Sequence, residues 1–145
     1  MTEVYGELWG YVDLPWHIVC ITTNGSVNSR GQCVMGRGCA LEAKTRYPTL
    51  AKELGDKIKR NGNVVQSLIT GDIEIIAFPV KHKWSDQANL KLIEKSAARL
   101  KEIAIDHHDL NFVLPRPGCG AGRLLWMEVK PIVETLPDNV MVITR

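Results

Sequence analysis

Two glycine-rich segments carry the residue types most suited to chemistry. The first is Cys33-Val34-Met35-Gly36-Arg37-Gly38-Cys39-Ala40, and the second is Leu114-Pro115-Arg116-Pro117-Gly118-Cys119-Gly120-Ala121-Gly122-Arg123. Each follows an apolar, strand-like run and precedes a helical one. Side-chain-free positions let backbone amides approach an anion, and the start of a helix adds partial positive charge. Two such loops on one sheet edge predict a diphosphate held between them. Neither matches GxxxxGK[ST] or GxGxxG, so a P-loop and a Rossmann fingerprint are both unsupported. A tight strand-to-helix turn is the alternative role for each set of glycines.

Lys81-His82-Lys83 follows the apolar run Ile73–Val80 and offers two amines and an imidazole for nucleophilic or acid–base work. Solvated loop cations are the plain alternative. Cys119 lies between two glycines but has no histidine base beside it, so a small packed thiol is expected. Cys39 opens a helix, where position alone lowers a thiol pKa. His107-His108 reads as a solvated helix end. Cys20, Cys33, Cys39 and Cys119 have no CxxC spacing, so no metal site and no cofactor are expected, and reduced thiols point to the cytoplasm.

The elements that must position these residues alternate in type. Strands are predicted at Glu3–Trp9, His17–Thr22, Val64–Thr70, Ile73–Val80, Asn111–Leu114 and Val140–Ile143, with Gly71-Asp72 as a hairpin turn. Their near-continuous apolarity suits strands covered on both faces. Leu90, Ile93, Ala97, Leu100 and Ala104 form one helical stripe, N-capped by Ser85 or Asp86. Further helices are predicted from Cys39 to Arg46, from near Pro48 to Asn61-Gly62, and from Trp126 to Leu136, the last requiring Pro131 in its first turn. The order in outline, β-β-α-β-β-α-β-α-β, implies an α/β fold with one mixed, largely parallel sheet of about six strands. Ligands bind such sheets at the carboxyl ends of the strands.

Composition bounds the rest. The chain has 145 residues, enough for one domain that buries about 68–70% of its unfolded surface. Eighteen Lys and Arg against sixteen Asp and Glu give +2, too small a bias to argue for general nucleic-acid binding. No apolar run approaches the ~20 residues of a membrane span, and the first residues do not read as a signal peptide. A monomer is the default for this size without a heptad pattern.

The two loops in this order, with Arg46-Tyr47-Pro48 between them and Arg123-Leu124-Leu125-Trp126 after, resemble the macro domain family over about residues 5–143. The similarity is to the branch of terminal ADP-ribose protein glycohydrolases and ADP-ribose-1″-phosphate phosphatases. It implies a three-layer α/β/α fold that binds ADP-ribose, or an ADP-ribosylated substrate, across the top of the sheet. Nucleic acid enters only as such a substrate. The resemblance assigns Met35, Gly36, Arg37, Gly38, Cys39 and Ala40 to the distal ribose and a phosphate. Pro117, Gly118, Cys119, Gly120, Ala121, Gly122, Arg123 and Leu124 are assigned to the diphosphate. Glu7, with Leu8, stands where the family places an aspartate on the adenine, and Thr22 and Asn24 fall near the distal ribose. The branch's catalytic lysine corresponds to Lys81 first or Lys83, with His82 available to assist. Its loop aspartate is replaced by Gly122. Both a hydrolase and a non-catalytic ADP-ribose reader therefore remain open.

Overall fold

The computed structural model describes residues 1–145. Six strands form one sheet: β1 (Thr2–Tyr5), β2 (His17–Asn24), β3 (Gln66–Thr70), β4 (Ile73–Lys81), β5 (Asn111–Pro115) and β6 (Val140–Thr144). Their spatial order is β1-β6-β5-β2-β4-β3. Every neighbouring pair is parallel except β3 with β4. That pair is the expected hairpin: Thr70 faces Ile73 across Gly71-Asp72, and Gly71 takes φ +57°, which a residue without Cβ adopts freely.

The slot between β2 and β3 holds two helices, α1 (Gly38–Arg46) and α2 (Leu50–Asn61); α3 (Leu90–Asp106) follows β4 and α4 (Trp126–Val133) follows β5. The central strands are apolar on both faces because each face is covered. Ile76, Phe78, Phe112 and Leu114 pack with Ile93, Leu100 and Val129 of α3 and α4. Ile21, Ile75, Ala77 and Val113 pack with Ala43, Leu50 and Leu54 of α1 and α2. The result is the three-layer α/β/α arrangement.

Four expectations are corrected. The predicted Glu3–Trp9 strand ends at Tyr5, because Gly6 turns at φ +148° while its amide bonds the Thr144 carbonyl at 2.9 Å. Leu8–Tyr11 then forms a 3₁₀ turn that buries Leu8 and Trp9 under the sheet. The third strand begins at Gln66 rather than Val64. Asn89, not Ser85 or Asp86, caps α3, its Oδ1 accepting from the Leu92 amide at 2.9 Å. We expect Asn89→Ala to cost about 1 kcal/mol, read as a drop of about 2–4 °C in thermal denaturation.

The fourth concerns α4, which is shorter than predicted and carries Pro131 in its second turn. The carbonyl that Pro131 leaves without a donor belongs to Met127, an exposed residue open to solvent.

Candidate active site

The first glycine loop is fastened before it reaches α1. Asn24 ends β2, and its carboxamide is used on both sides: Nδ2 donates to the Val34 carbonyl, and Oδ1 accepts from the Ser26 amide, each at 2.9 Å. Met35 is buried in the core below. The loop then rises, and the amides of Gly36, Arg37, Gly38, Cys39 and Ala40 make no hydrogen bond within the protein. They point out at the N-terminus of α1, whose N-cap Arg37 supplies no side-chain cap. Unpartnered amides at a helix start attract an anion.

The second loop is built the same way from the opposite layer. Leu124 is its buried anchor, and its amide bonds the Gly118 carbonyl at 2.9 Å. Gly118 holds φ +76°, and a Cβ there would meet Ile93, Ala88 and Leu124 at about 3 Å. Gly120, by contrast, has nothing within 4 Å of a Cβ position. The amides of Gly120, Ala121 and Gly122 are again unbonded within the protein. Between the two loops lies a cavity of about 730 Å³ over the carboxyl ends of the strands. Leu8, Thr22, Asn24, Gly36 to Ala40, Gly118 to Gly122 and Lys81 all line it.

Lys81 occupies one end of this cavity and is largely buried. An irregularity in register between Thr23 and Asn24 brings Asn24 opposite Lys81 at the end of β4. Its Nζ donates to the carbonyls of Trp84 and Ala121, both at 3.4 Å. Burial holds the amine below its usual pKa, and the cations Arg37 and Arg123 add to the effect, while Asp86 opposes it. Lys81 has no ion-pair partner, and its surroundings favour the neutral amine more than water does. His82 and Lys83 are exposed and do not line the cavity; the His82 carbonyl instead takes the Gly25 amide at 3.1 Å. Of the two lysines, Lys81 lines the cavity and Lys83 does not.

The opposite end is lined by Leu8, Gly6 and Ile143. Glu7 points out of the cavity to Arg145, whose Nε lies 3.0 Å away, and Arg145 also meets Glu42 at 2.9 Å. Glu7, the extended residue just before the 3₁₀ turn, faces the Arg145 rim and does not line the cavity, whereas Leu8, the first residue of the turn, does.

Arg116 lines the cavity and was not foreseen as a site residue. Its guanidinium stacks 4.5 Å from the Trp126 ring centroid, and its Nε is buried without a partner. It stands within the second glycine segment, but its place over Trp126 depends on α4 folding back against the loop.

The thiols behave as packing groups. Cys39 lies 3.3 Å from the Thr22 hydroxyl, yet burial outweighs that bond and the helix start, so its pKa is raised rather than lowered. Burial likewise raises Cys119, against the opposing pull of Arg116.

No family model matches the chain. The DNA ADP-ribosyl glycohydrolase of Mycobacterium tuberculosis (strain H37Rv) is 29% identical over 116 residues, which cover 72% of this chain and 33% of that protein. This chain thus spans about a third of that relative's length. The ADP-ribose glycohydrolase OARD1 of Bos taurus is 25% identical over 142 residues, covering 92% of this chain and 82% of that one. Among solved structures, the macrodomain of Mycobacterium tuberculosis DarG superposes with a TM-score of 0.74 at 27% identity, over 98% of this chain and 96% of that one. The chain has the macrodomain fold.

Within this fold five residues assigned to ligand by resemblance do not line the cavity. Met35 and Leu124 are buried loop anchors, one in each layer. Pro117 is buried and Arg123 exposed, and neither lines the cavity. Arg123 turns the chain at φ +64°, and its carbonyl accepts from Gln87. Glu7 belongs to the rim ion pair. The fold also explains the missing aspartate. A Cβ on Gly122 would sit 2.5 Å from the Gly118 carbonyl oxygen and 2.8 Å from the Ala88 Cβ. Gly122→Asp therefore destabilises the fold by about 1–3 kcal/mol instead of restoring a catalytic group. Thermal denaturation beside an activity assay of the variant checks this.

Proposed function

We propose that this chain binds ADP-ribose along the cleft and hydrolyses the bond between its distal ribose and a carrier. The observation that carries the reading is Lys81, a buried amine at one end of a cavity lined by two loops of free amides. In this reading the diphosphate lies between the loops, adenosine lies toward Leu8 and Ile143, and the distal ribose meets Lys81. The neutral Lys81 nitrogen attacks C1″. The bond from C1″ to the carrier breaks, and its electron pair leaves with the carrier atom, which takes up the proton lost by the amine. Water then adds to C1″, the carbon–nitrogen bond breaks, and the free amine and ADP-ribose are regenerated. A lowered pKa raises the share of the neutral, nucleophilic amine at any pH below it.

A nucleic-acid carrier is favoured by the surface where this end opens. Exposed Trp84 offers a stacking face, and Arg37, Lys83 and Arg123 offer cations for phosphates. The relatives named for DNA ADP-ribosyl and ADP-ribose glycohydrolysis support the same class. The free thiols, Cys20 and Cys33 among the buried ones, suit a reducing compartment such as the cytoplasm, and no helix is long and apolar enough to cross a membrane. We take the active unit to be a monomer.

The absence of a loop carboxylate at Gly122 favours a second reading, a binding module without turnover. Incubation with an ADP-ribosylated oligonucleotide, an ADP-ribosylated protein and ADP-ribose-1″-phosphate separates the two. Release of ADP-ribose from the oligonucleotide is expected. Binding of ADP-ribose with no release from any of them leaves the module, and no affinity for ADP-ribose sinks both readings.

A further inference from the structure

The cleft holds more positive charge than a diphosphate gripped by backbone amides requires. Arg37, Lys81, Arg116 and Arg145 line it, against the single carboxylate of Glu42. Arg145 is spent on Glu7 and Glu42 at the rim. Arg37 precedes α1 and Lys81 ends β4, both at the end assigned to the distal ribose. Arg116 remains, and it stands elsewhere.

Its place follows from the register of the sheet. Pro115, the last residue of β5, pairs with Ile143 of β6, so Arg116 leaves the sheet beside the end assigned to adenosine. β2 lies between β5 and β4, which puts Lys81 two strands away, ~10 Å at the usual strand spacing. The Arg116 side chain is half-buried, with its guanidinium 4.5 Å from the Trp126 ring centroid and its Nε buried without an acceptor. No carboxylate neutralises it. Arg116 enters none of the ion pairs, and Glu128, on the same helix as Trp126, spends its carboxylate on the Leu125 amide at 3.0 Å. An arginine stacked on an indole and lacking an anionic partner keeps its fork of donors for a bidentate acceptor.

We infer that Arg116 forms a subsite for a phosphate monoester on the adenosine ribose, at its 2′ or 3′ oxygen. This rests on the placement of ADP-ribose proposed above and adds a further anion to the diphosphate. The diphosphate has the unbonded amides of both loops, and the distal ribose lies at Lys81, so neither needs this guanidinium. What adenosine itself offers beside Arg116 is neutral. A ribose hydroxyl takes one hydrogen bond and leaves the half-buried charge uncompensated, whereas a phosphate takes two and neutralises it. The cleft therefore prefers an ADP-ribose unit phosphorylated on its adenosine ribose over the plain unit.

The test is calorimetric titration, at one ionic strength, of wild type, Arg116→Gln and Arg116→Lys. The ligands are ADP-ribose, its 2′-phosphate, its 3′-phosphate and ADP-ribose-1″-phosphate, the last carrying the same added charge at the Lys81 end. Each reading is the affinity of a phosphorylated ligand relative to ADP-ribose on the same protein, so a general weakening of the cleft cancels. Wild type binds the 2′- or the 3′-phosphate about tenfold tighter than ADP-ribose, the gain from one charge-assisted bidentate pair. In Arg116→Gln that advantage disappears, while the relative affinity for the 1″-phosphate keeps its wild-type value. Arg116→Lys keeps part of the advantage, since a point charge remains without the fork. A wild-type chain that binds neither ribose phosphate tighter than ADP-ribose overturns this inference and leaves ADP-ribose binding standing. An advantage undiminished in Arg116→Gln, or a loss shared by the 1″-phosphate, overturns it as well. No affinity for ADP-ribose itself overturns the placement on which it rests.

Discussion

Lys81→Ala lowers the rate of ADP-ribose release by about 10²–10⁴-fold, the range that one acid–base or nucleophilic group supplies. The amine is charged in water at neutral pH, and its surroundings shift the balance toward the neutral form. Burial, with Arg37 and Arg123 nearby, disfavours the ammonium. The wild-type rate therefore rises with pH through a value below the ~10.4 of a solvated lysine, because the neutral form is the active one. Lys81→Arg fails as well, since a guanidinium stays charged at every accessible pH. His82→Ala is the control. Its side chain is exposed outside the cavity, so the rate stays within roughly twofold, about 0.5 kcal/mol. A pH–rate series on the three variants checks the set. Equal losses in Lys81→Ala and His82→Ala would point to a disturbed loop rather than to an amine in the reaction.

Gly120→Val removes ADP-ribose binding while leaving the fold intact. Gly120 is exposed, has no left-handed φ, and would place a Cβ with nothing within 4 Å. The new methyl groups therefore meet no protein atom at Cβ range and stand over the unbonded amides of the second loop, in the space a phosphate would take. A loss of about a hundredfold in affinity, ~2.8 kcal/mol, is the expected calorimetric result, with an unchanged melting temperature for the free protein. Gly118 offers the contrast. Its φ of +76° and its close neighbours make any side chain there a defect of the fold first. Retained affinity in Gly120→Val would mean the diphosphate does not lie against this loop.

Much of this arrangement was legible before any coordinates, for identifiable reasons. The strands announce themselves because both faces are covered, so Ile73–Val80 reads as one apolar run. The glycine loops stand out because free amides need residues without side chains. What the sequence withheld depends on direction rather than composition. Glu7 and Leu8 are neighbours, yet one faces Arg145 and the other the cavity. Lys81 and Lys83 are two residues apart, and the register irregularity at Thr23/Asn24 decides where the strand ends. Met35 and Leu124 sit inside the motifs but are anchors, since a loop that lifts its amides toward a ligand needs an apolar residue holding it from below. Arg116 stood in the second glycine segment, but its stacking was hidden because its partner, Trp126, belongs to the next element.

The two loops grow from opposite sides of the sheet. Met35 roots the first in the layer of α1 and α2, and Leu124 roots the second in the layer of α3 and α4. A diphosphate gripped by both would act as a non-covalent crosslink between the two halves of the molecule. Its stabilisation would be shared by helices that never touch it. Slowed amide exchange on saturation would then extend into both helical layers, and a ligand held by one loop alone would quiet only one of them.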